Sequence, residues 1–131
     1  MVSPEILADR RVVFRLYAPK ATEVTLVGSF WLQEGRTERM ARDAQGIWSF
    51  TTEPLPADYY SYSFAVDGIR IPDPANGRIK PGSLRTQSAF SISGPESAFL
   101  EAAPVPHGEV RIVFYPSAVV GRPRRMHIYF P

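Results

Sequence analysis

Hydrophobic and polar residues alternate along several short stretches of this chain. The longest alternating stretch, residues 59–66, runs directly into an Asp67-Gly68 pair. Every second residue of the stretch is aromatic or aliphatic, which places four side chains on one face: Tyr60, Tyr62, Phe64 and Val66. Aspartate and glycine tolerate the positive φ angles of a tight hairpin turn. The pattern therefore predicts a β-hairpin with one buried aromatic face.

Strand-like segments recur through the rest of the chain, with turn residues between them. They cover residues 11–17, 24–29, 47–52, 87–93, 110–115 and 125–130. Residues 30–42 have no clean period and predict a long exposed connection. Many short strands separated by frequent turns predict an all-β protein, an immunoglobulin-like β-sandwich with very little helix.

The composition changes after residue 94. Residues 95–108 include three prolines and have the composition of a stiff linker. We therefore expect three parts: a sandwich at 1–94, a proline-containing linker at 95–108 and a β-hairpin extension at 109–131. Two strands with apolar faces and open edges need a partner surface. Self-association through this C-terminal hairpin and folding back on the sandwich both remain open.

Composition and charge remove several classes of function. The 131 residues carry a net charge of +2 and include no cysteine. Without cysteine there are no disulfides, thiolate metal sites or thiol chemistry. The arginines are scattered rather than forming a basic stripe, so no nucleic acid partner is expected. No apolar run approaches roughly 20 residues and no signal peptide is recognisable at the N-terminus, so no membrane partner is expected either.

Four segments resemble one known family in their order and spacing. They are residues 13–19 (Val-Phe-Arg-Leu-Tyr-Ala-Pro), 24–30 (Val-Thr-Leu-Val-Gly-Ser-Phe), 46–49 (Gly-Ile-Trp-Ser) and 66–68 (Val-Asp-Gly). The resemblance is to carbohydrate-binding module family 48, whose fold is an early-set immunoglobulin-like sandwich. Members of that family precede the catalytic domains of glucan-branching and debranching enzymes, bind glycogen in kinase subunits, or lie in front of bacterial esterases. The resemblance implies a carbohydrate-binding role.

The end of the chain is similar to a different junction. Residues 106–110 and 124–131 resemble the entry into feruloyl-esterase-like α/β-hydrolase domains. That resemblance implies that this chain is the accessory N-terminal part of a carbohydrate esterase, ending where the α/β-hydrolase domain begins. The hydrolase domain would then be a partner in cis, and a secreted or periplasmic location would follow.

The sequence offers no catalytic or metal-binding set of its own. A serine esterase needs its nucleophile in a G-x-S-x-G turn, and the chain contains none. Ser29 is therefore interpreted as a turn residue, and His107 and His127 as structural residues. Asp67 and Asp73 are explained by turns rather than by a calcium site. We predict no catalytic residue, cofactor or metal, so this segment alone is not an enzyme.

Sugar binding is the functional interpretation that remains. Sugar rings pack their C–H faces on aromatic planes, while polar side chains bind their hydroxyl groups. Trp31 lies in an irregular segment, Tyr59 is out of phase with the buried aromatic set, and Arg70 follows the hairpin turn. These three residues are the predicted carbohydrate-binding set.

The chain departs from the glucan-binding members at several positions. Where the resembling glucan-binding members carry two tryptophans, this chain has Gln33 and Arg70, and where they carry a lysine it has Ser63. An asparagine is replaced by Gln87 or Ser88. These replacements argue against glycogen, and the resemblance to esterases implies plant cell-wall xylan instead. The alternative is a structural cap that packs on the esterase domain and binds no free sugar.

Overall fold

The computed structural model describes residues 1–33, 35–82 and 84–131. Strands make up 47% of the structure and helix 5%, so the all-β prediction is confirmed. The chain divides into two compact units, Met1–Glu101 and Ala102–Pro131. Within the described ranges, no helix is long and apolar enough to cross a membrane.

The first unit contains two antiparallel sheets. The smaller sheet has the order β1-β2-β6-β5, with β1 at Glu5–Ile6, β2 at Val12–Tyr17, β6 at Ile47–Thr51 and β5 at Ala41–Arg42. The larger has the order β4-β3-β7-β10-β9, with β4 at Thr37–Arg39, β3 at Val24–Gly28, β7 at Tyr59–Val66, β10 at Thr86–Ser91 and β9 at Ile79–Pro81. The short strand β8, Ile69–Ile71, pairs with the second half of β7.

One hydrophobic cluster holds the first unit together, and its three largest fully buried side chains come from β2 and β7. On β7 the inward residues are those of the aromatic alternation, and Tyr62 and Phe64 are completely buried. From β2, the buried Phe14 packs against Tyr62 with ring centroids 4.6 Å apart. The immunoglobulin-like sandwich and its aromatic face are therefore as predicted, because the period-two pattern matches the strand geometry.

Residues 30–42 differ from the sequence prediction of a long exposed connection. They contain β4 and β5, and Met40 between these strands is buried. Phe30 packs against the core because Gly28 leaves room for its ring: a Cβ at Gly28 would lie 2.2 Å from the Phe30 ring. Strands of two or three residues are too short to show a period, which is why the pattern missed them.

The interval that the sequence assigns to a linker begins with regular structure. A 3₁₀ helix runs over Pro95–Leu100, and proline suits its first position. Ser97 is buried and donates a hydrogen bond from its Oγ to the carbonyl oxygen of Ile92 at 3.0 Å. This part of the chain therefore belongs to the first compact unit.

The second unit is an antiparallel hairpin. Strand β11, Glu109–Ser117, pairs along its full length with β12, Arg122–Phe130. Gly121 has a φ of 67°, which suits the tight turn between them. The hairpin carries a set of exposed apolar side chains: Val110, Ile112, Phe114, Val119, Val120, Tyr129 and Phe130.

Candidate ligand-binding grooves

Two surface grooves contain residues that the sequence analysis singles out. The first, which we call the Trp31 groove, has a volume of about 310 Å³. Its lining includes Phe30, Trp31, Phe50 and Leu55 on the apolar side, and Arg36, Glu38, Thr51, Thr52 and Glu53 on the polar side. Trp31 reaches this position because Phe30 before it folds over Gly28 into the core.

The ring of Trp31 already has close neighbours. It packs edge-on with Phe30 and Phe50, at centroid distances of 4.7 and 6.0 Å. The guanidinium of Arg36 lies over the ring, 5.2 Å from its centroid, in cation–π geometry. Arg36 is held there by Glu38, whose Oε1 accepts hydrogen bonds from Nε at 2.9 Å and Nη2 at 2.7 Å. A sugar ring stacking on this side of Trp31 would have to displace an ion-paired arginine.

The second groove, which we call the Arg70 groove, lies beside the β7–β8 hairpin and has a volume of about 240 Å³. Its lining consists of Ser63, Arg70, Pro72, Leu84, Arg85, Thr86 and Gln87. Arg70 enters it from β8, where it pairs with Ala65 of β7. The hairpin turn that fixes this register has positive φ angles at Asp67 and Gly68, 48° and 86°, as a tight turn requires.

Next to the lining residues of the Arg70 groove, Gly82 and Arg85 approach each other closely. Gly82 donates its N–H to the carbonyl oxygen of Arg85 at 2.9 Å. A Cβ at Gly82 would lie 2.6 Å from that oxygen, so the approach requires glycine. Leu84, which is 93% exposed, and Arg85 both line the groove.

Ser63 is the buried polar residue of the Arg70 groove. It is 3% exposed, and its Oγ hydrogen-bonds to none of the described residues. Tyr62 and Phe64 on either side of it point into the core, so the Ser63 side chain lies on the outer face of the sheet. An unpaired buried hydroxyl group costs about 1–3 kcal/mol. A ligand oxygen in the groove could form the missing hydrogen bond.

Tyr59 lines neither groove. It lies at the start of β7, out of phase with the buried set as predicted, and its ring faces two cations. The Arg78 guanidinium is 5.7 Å and the Lys80 ammonium 6.0 Å from the ring centroid. Lys80 of β9 pairs with Gln87 of β10, so this cluster borders the Arg70 groove on the same sheet.

The structure thus distributes the three predicted binding residues over three places. Trp31 and Arg70 line different grooves, and Tyr59 lies on a cationic cluster beside the second. Sequence reasoning missed Arg36 over Trp31, and it missed two residues of the second groove, Leu84 and Arg85. The one available signal was Leu84, an isolated apolar residue in an otherwise polar stretch.

A buried polar network is centred on Asp73, two residues after the end of β8, and has a structural role. The carboxylate of Asp73, 2% exposed, accepts hydrogen bonds from the hydroxyls of Ser3 and Tyr62 and from the N–H of Ala75. Ser88 Oγ accepts the N–H of Asp73 at 2.7 Å. Burial, and secondly the hydrogen bond to Asp73, raise the pKa of Tyr62 far above its usual value. Sequence reasoning identified Asp73 as a turn residue but missed this network.

Neither groove has a histidine among its described lining residues, and Ser29 lines neither groove. Ser29 continues the β3–β7 pairing: its N–H bonds to Ser61 O at 2.8 Å and its Oγ accepts the Ser61 N–H at 2.9 Å. A search of the described ranges finds no group of three or more histidine or carboxylate side chains that could hold a metal ion.

The two antiparallel sheets of the first unit form an immunoglobulin-like sandwich with two surface grooves. The sequence model of carbohydrate-binding module 48, the isoamylase N-terminal domain, matches residues 2–81, which is more than half of the chain. The chain therefore belongs to the carbohydrate-binding module 48 family.

Solved structures share this fold at low sequence identity. An enterochelin esterase from Shigella flexneri matches 94% of the chain and 41% of its own, at 18% identity and a TM-score of 0.63. An enterobactin esterase from Shigella flexneri, in the presence of 2,3-dihydroxy-N-benzoyl-serine, is 18% identical with a TM-score of 0.62 and has the same coverage. The pullulanase SAP of GBS, in complex with maltotetraose, matches 70% of the chain and 14% of its own length, at 17% identity and a TM-score of 0.52. The chain spans about two fifths of the length of the esterases it matches.

Proposed function

We propose that this chain is a non-catalytic accessory domain that binds polysaccharide through the Arg70 groove and works beside an esterase domain on the same polypeptide. The observation that carries the proposal is the composition of that groove. Exposed Leu84 offers an apolar surface for the C–H face of a sugar, and Ser63, Arg70 and Gln87 offer hydrogen bonds to its oxygens.

The esterase partner is supported by two features. The first is the likeness of fold to esterases over nearly the whole chain, including the second unit. The second is the hairpin of that unit, whose exposed Val110, Ile112 and Phe114 would be covered if β11 and β12 joined the sheet of an α/β-hydrolase domain. Burying such side chains contributes favourably, at about 25 cal/mol per Å² of apolar area.

The ester itself belongs to a narrower proposal. The compound 2,3-dihydroxy-N-benzoyl-serine, present with one of the similar esterases, carries an aromatic acyl group. In that compound the acyl group is in amide linkage to the serine nitrogen, whereas in a feruloyl ester the aromatic acyl group is part of the ester; we take esters of molecules that carry an aromatic acyl group as the substrate class of the partner domain. Feruloylated xylan is the particular substrate to test first, with arabinoxylan as the polymer that the module would bind.

A structural cap without free sugar binding is the second candidate. The observation that favours it is the position of Arg36 over Trp31, because the ring of the one tryptophan in the predicted binding set is partly covered by a side chain of the same protein. In this case the first unit would pack on the esterase domain and shape the mouth of its active site.

The test is retardation of the chain in native gels that contain arabinoxylan, glycogen or no polysaccharide, with bovine albumin as the non-binding reference. We expect slowing in arabinoxylan. The variant Leu84→Ser should abolish the slowing, because it removes the apolar surface on which the sugar packs. Leu84 is exposed, so the change should leave the core intact. Val119→Ser, at an equally exposed aliphatic residue of the hairpin, is the matched control and should bind as the parent chain does. Slowing by no polysaccharide would favour the structural cap.

A further inference from the structure

The face of the larger sheet that holds the Arg70 groove is unusually poor in negative charge. Strands β7, β8, β9 and β10 contain no aspartate or glutamate. Between residues 59 and 95 the only acids are Asp67 and Asp73. Asp67 accepts hydrogen bonds from the backbone N–H groups of Thr22 and Glu23, and Asp73 is buried in its own network.

Four cations lie in the same interval: Arg70, Arg78, Lys80 and Arg85. None of them forms an ion pair with a carboxylate in the described part of the chain. Five other arginines do so: Arg11 with Asp9, Arg15 with Glu5, Arg36 with Glu38, Arg39 with Glu23 and Arg111 with Glu109. Six further cations, Arg10, Lys20, Arg42, Arg122, Arg124 and Arg125, also lie outside these ion pairs, so what distinguishes this face is that its strands carry cations and no carboxylate.

The cations fall into two adjoining groups. Arg70 and Arg85 line the groove, where the unpaired hydroxyl of Ser63 also lies. Arg78 and Lys80 flank Tyr59, and Lys80 is the register partner of Gln87, which lines the groove. Neighbouring strands are about 4.8 Å apart, so the two groups lie within reach of successive units of one polymer.

We propose that the Arg70 groove and the adjoining cations bind an acidic polysaccharide, with a uronate carboxylate in the groove. Arg70 and Arg85 offer the forked guanidinium donors that suit a carboxylate. Ser63 Oγ donates to a ligand oxygen, and Leu84 packs against the sugar ring. The inference rests on the proposed function, that the groove binds polysaccharide, and adds the charge of the ligand.

Retardation of the chain by glucuronoxylan, and by the same polymer after its carboxylates have been reduced to alcohols, tests the charge directly. We expect at least tenfold weaker binding to the reduced polymer. We also expect binding to the acidic polymer to weaken as salt rises from 20 to 300 mM, because salt screens exposed charges. Equal binding to both polymers would overturn the inference and leave the proposed function intact. Binding to neither would contradict both.

Substitutions of the two arginines that line the groove test where the uronate carboxylate binds. Arg70→Gln and Arg85→Gln should each weaken binding to glucuronoxylan by about tenfold, which is 1.4 kcal/mol, and should weaken binding to the reduced polymer much less, because glutamine still offers hydrogen-bond donors to neutral oxygens. Arg124→Gln, at an exposed arginine of β12, makes the same change in net charge and is the matched control. An equal loss of affinity in all three variants would mean a general charge effect and would overturn the assignment to this groove.

Ser63→Ala separates a ligand contact from a structural role. Because Ser63 Oγ has no described partner, its removal should leave Tm equal or higher while lowering the affinity for glucuronoxylan several-fold. Unchanged affinity would overturn the role of the hydroxyl.

A single-stranded DNA oligonucleotide is a control for unspecific charge binding. If the chain bound this oligonucleotide as tightly as glucuronoxylan, the surface would bind any polyanion, and the inference would be overturned.

Discussion

The neighbours of Trp31 determine what its indole can do. The ring is half-buried against Phe30 and Phe50, and Arg36 covers part of what is left. Arg36 in turn is fixed by Glu38. A tryptophan packed in this way stabilises the edge of the core, whereas a sugar-binding tryptophan needs an open ring face.

We therefore expect Trp31→Ala to affect stability more than binding. Removing a half-buried indole should lower the free energy of unfolding by about 2 kcal/mol, and thermal denaturation should show a fall in Tm of roughly 5–10 °C. Retardation by polysaccharide at a temperature where the variant is folded should be unchanged. Lost retardation with an unchanged Tm would instead support Trp31 as the stacking residue that the sequence predicts.

Tyr62 is the second residue whose chemistry follows from its surroundings. Its hydroxyl donates to Asp73 at 2.7 Å and accepts from Asn76 Nδ2 at 3.1 Å, in the buried network centred on Asp73. Tyr62→Phe should lower the free energy of unfolding by about 1–3 kcal/mol at pH 7, measured by urea denaturation, because Asp73 loses a buried donor.

The same variant has a predictable pH dependence. The pKa of Tyr62 is raised in the folded state above its ordinary value of 10.0, so the folded state keeps the hydroxyl neutral after the unfolded state has begun to ionise. The stability that this group contributes is complete below about pH 10 and is lost as the pH rises further, by up to about 1.4 kcal/mol per pH unit. The difference between the parent chain and Tyr62→Phe should be constant from pH 7 to 9 and should shrink above pH 10. A constant difference up to pH 11 would contradict this account.

At the scale of elements, the β7–β8 hairpin positions the Arg70 groove. Its turn depends on Asp67 and Gly68, both with positive φ, and Asp67 also accepts two backbone hydrogen bonds from the segment before β3. The register set by this turn brings Arg70 opposite Ala65. A change in the turn should therefore reach the groove as well as the stability of the sheet.

Gly68→Ala tests the turn. Gly68 has open space around it, so the cost arises only from its φ of 86°, which a residue with a Cβ adopts at about 1 kcal/mol or more. We expect this loss of unfolding free energy, measured by urea denaturation, together with weaker polysaccharide binding. Gly77→Ala, also in open space but without a positive φ, is the control and should change stability by less than about 0.5 kcal/mol. Equal effects of the two changes would show that backbone strain is not the cause.

At the scale of the whole molecule, the core residues all belong to the first compact unit. The hydrophobic cluster extends from Val12 to Ile92, and the buried Ser97 completes its C-terminal end. The hairpin of the second unit has mostly exposed side chains and makes its backbone pairs within itself. The two units thus differ in how much apolar surface each one buries.

A chain that ends at Glu101 should therefore fold by itself. We expect its Tm to lie within about 5 °C of that of the full chain and its polysaccharide binding to be retained, because the core and the Arg70 groove lie in residues 1–101. Thermal denaturation and gel retardation check this. Loss of cooperative unfolding in the shortened chain would show that the hairpin is needed for the fold. Deletion of the hairpin should also abolish any self-association of the chain, which sedimentation velocity would measure.

The alternating pattern by itself determined the sheet elements that are long enough to carry a period. Residues such as Tyr62 and Phe64 face the core because side chains alternate along a strand, and Asp67 and Gly68 make the turn because their backbones tolerate positive φ. The order and spacing of short motifs also identify the family. These properties are local, so the sequence is enough to reveal them.

Only the tertiary structure decided what meets on the surface. Strands as short as β4 and β5 exist because neighbouring strands supply their hydrogen bonds, and Phe30 enters the core because Gly28 leaves it space. Arg36 lies on Trp31, and Arg85 lies near Arg70 although 15 positions separate them in the chain. Cations that appear scattered along the sequence share one sheet face because β8, β9 and β10 pair side by side with β7 or with one another. Proximity across strands depends on register and packing, and no local pattern encodes it.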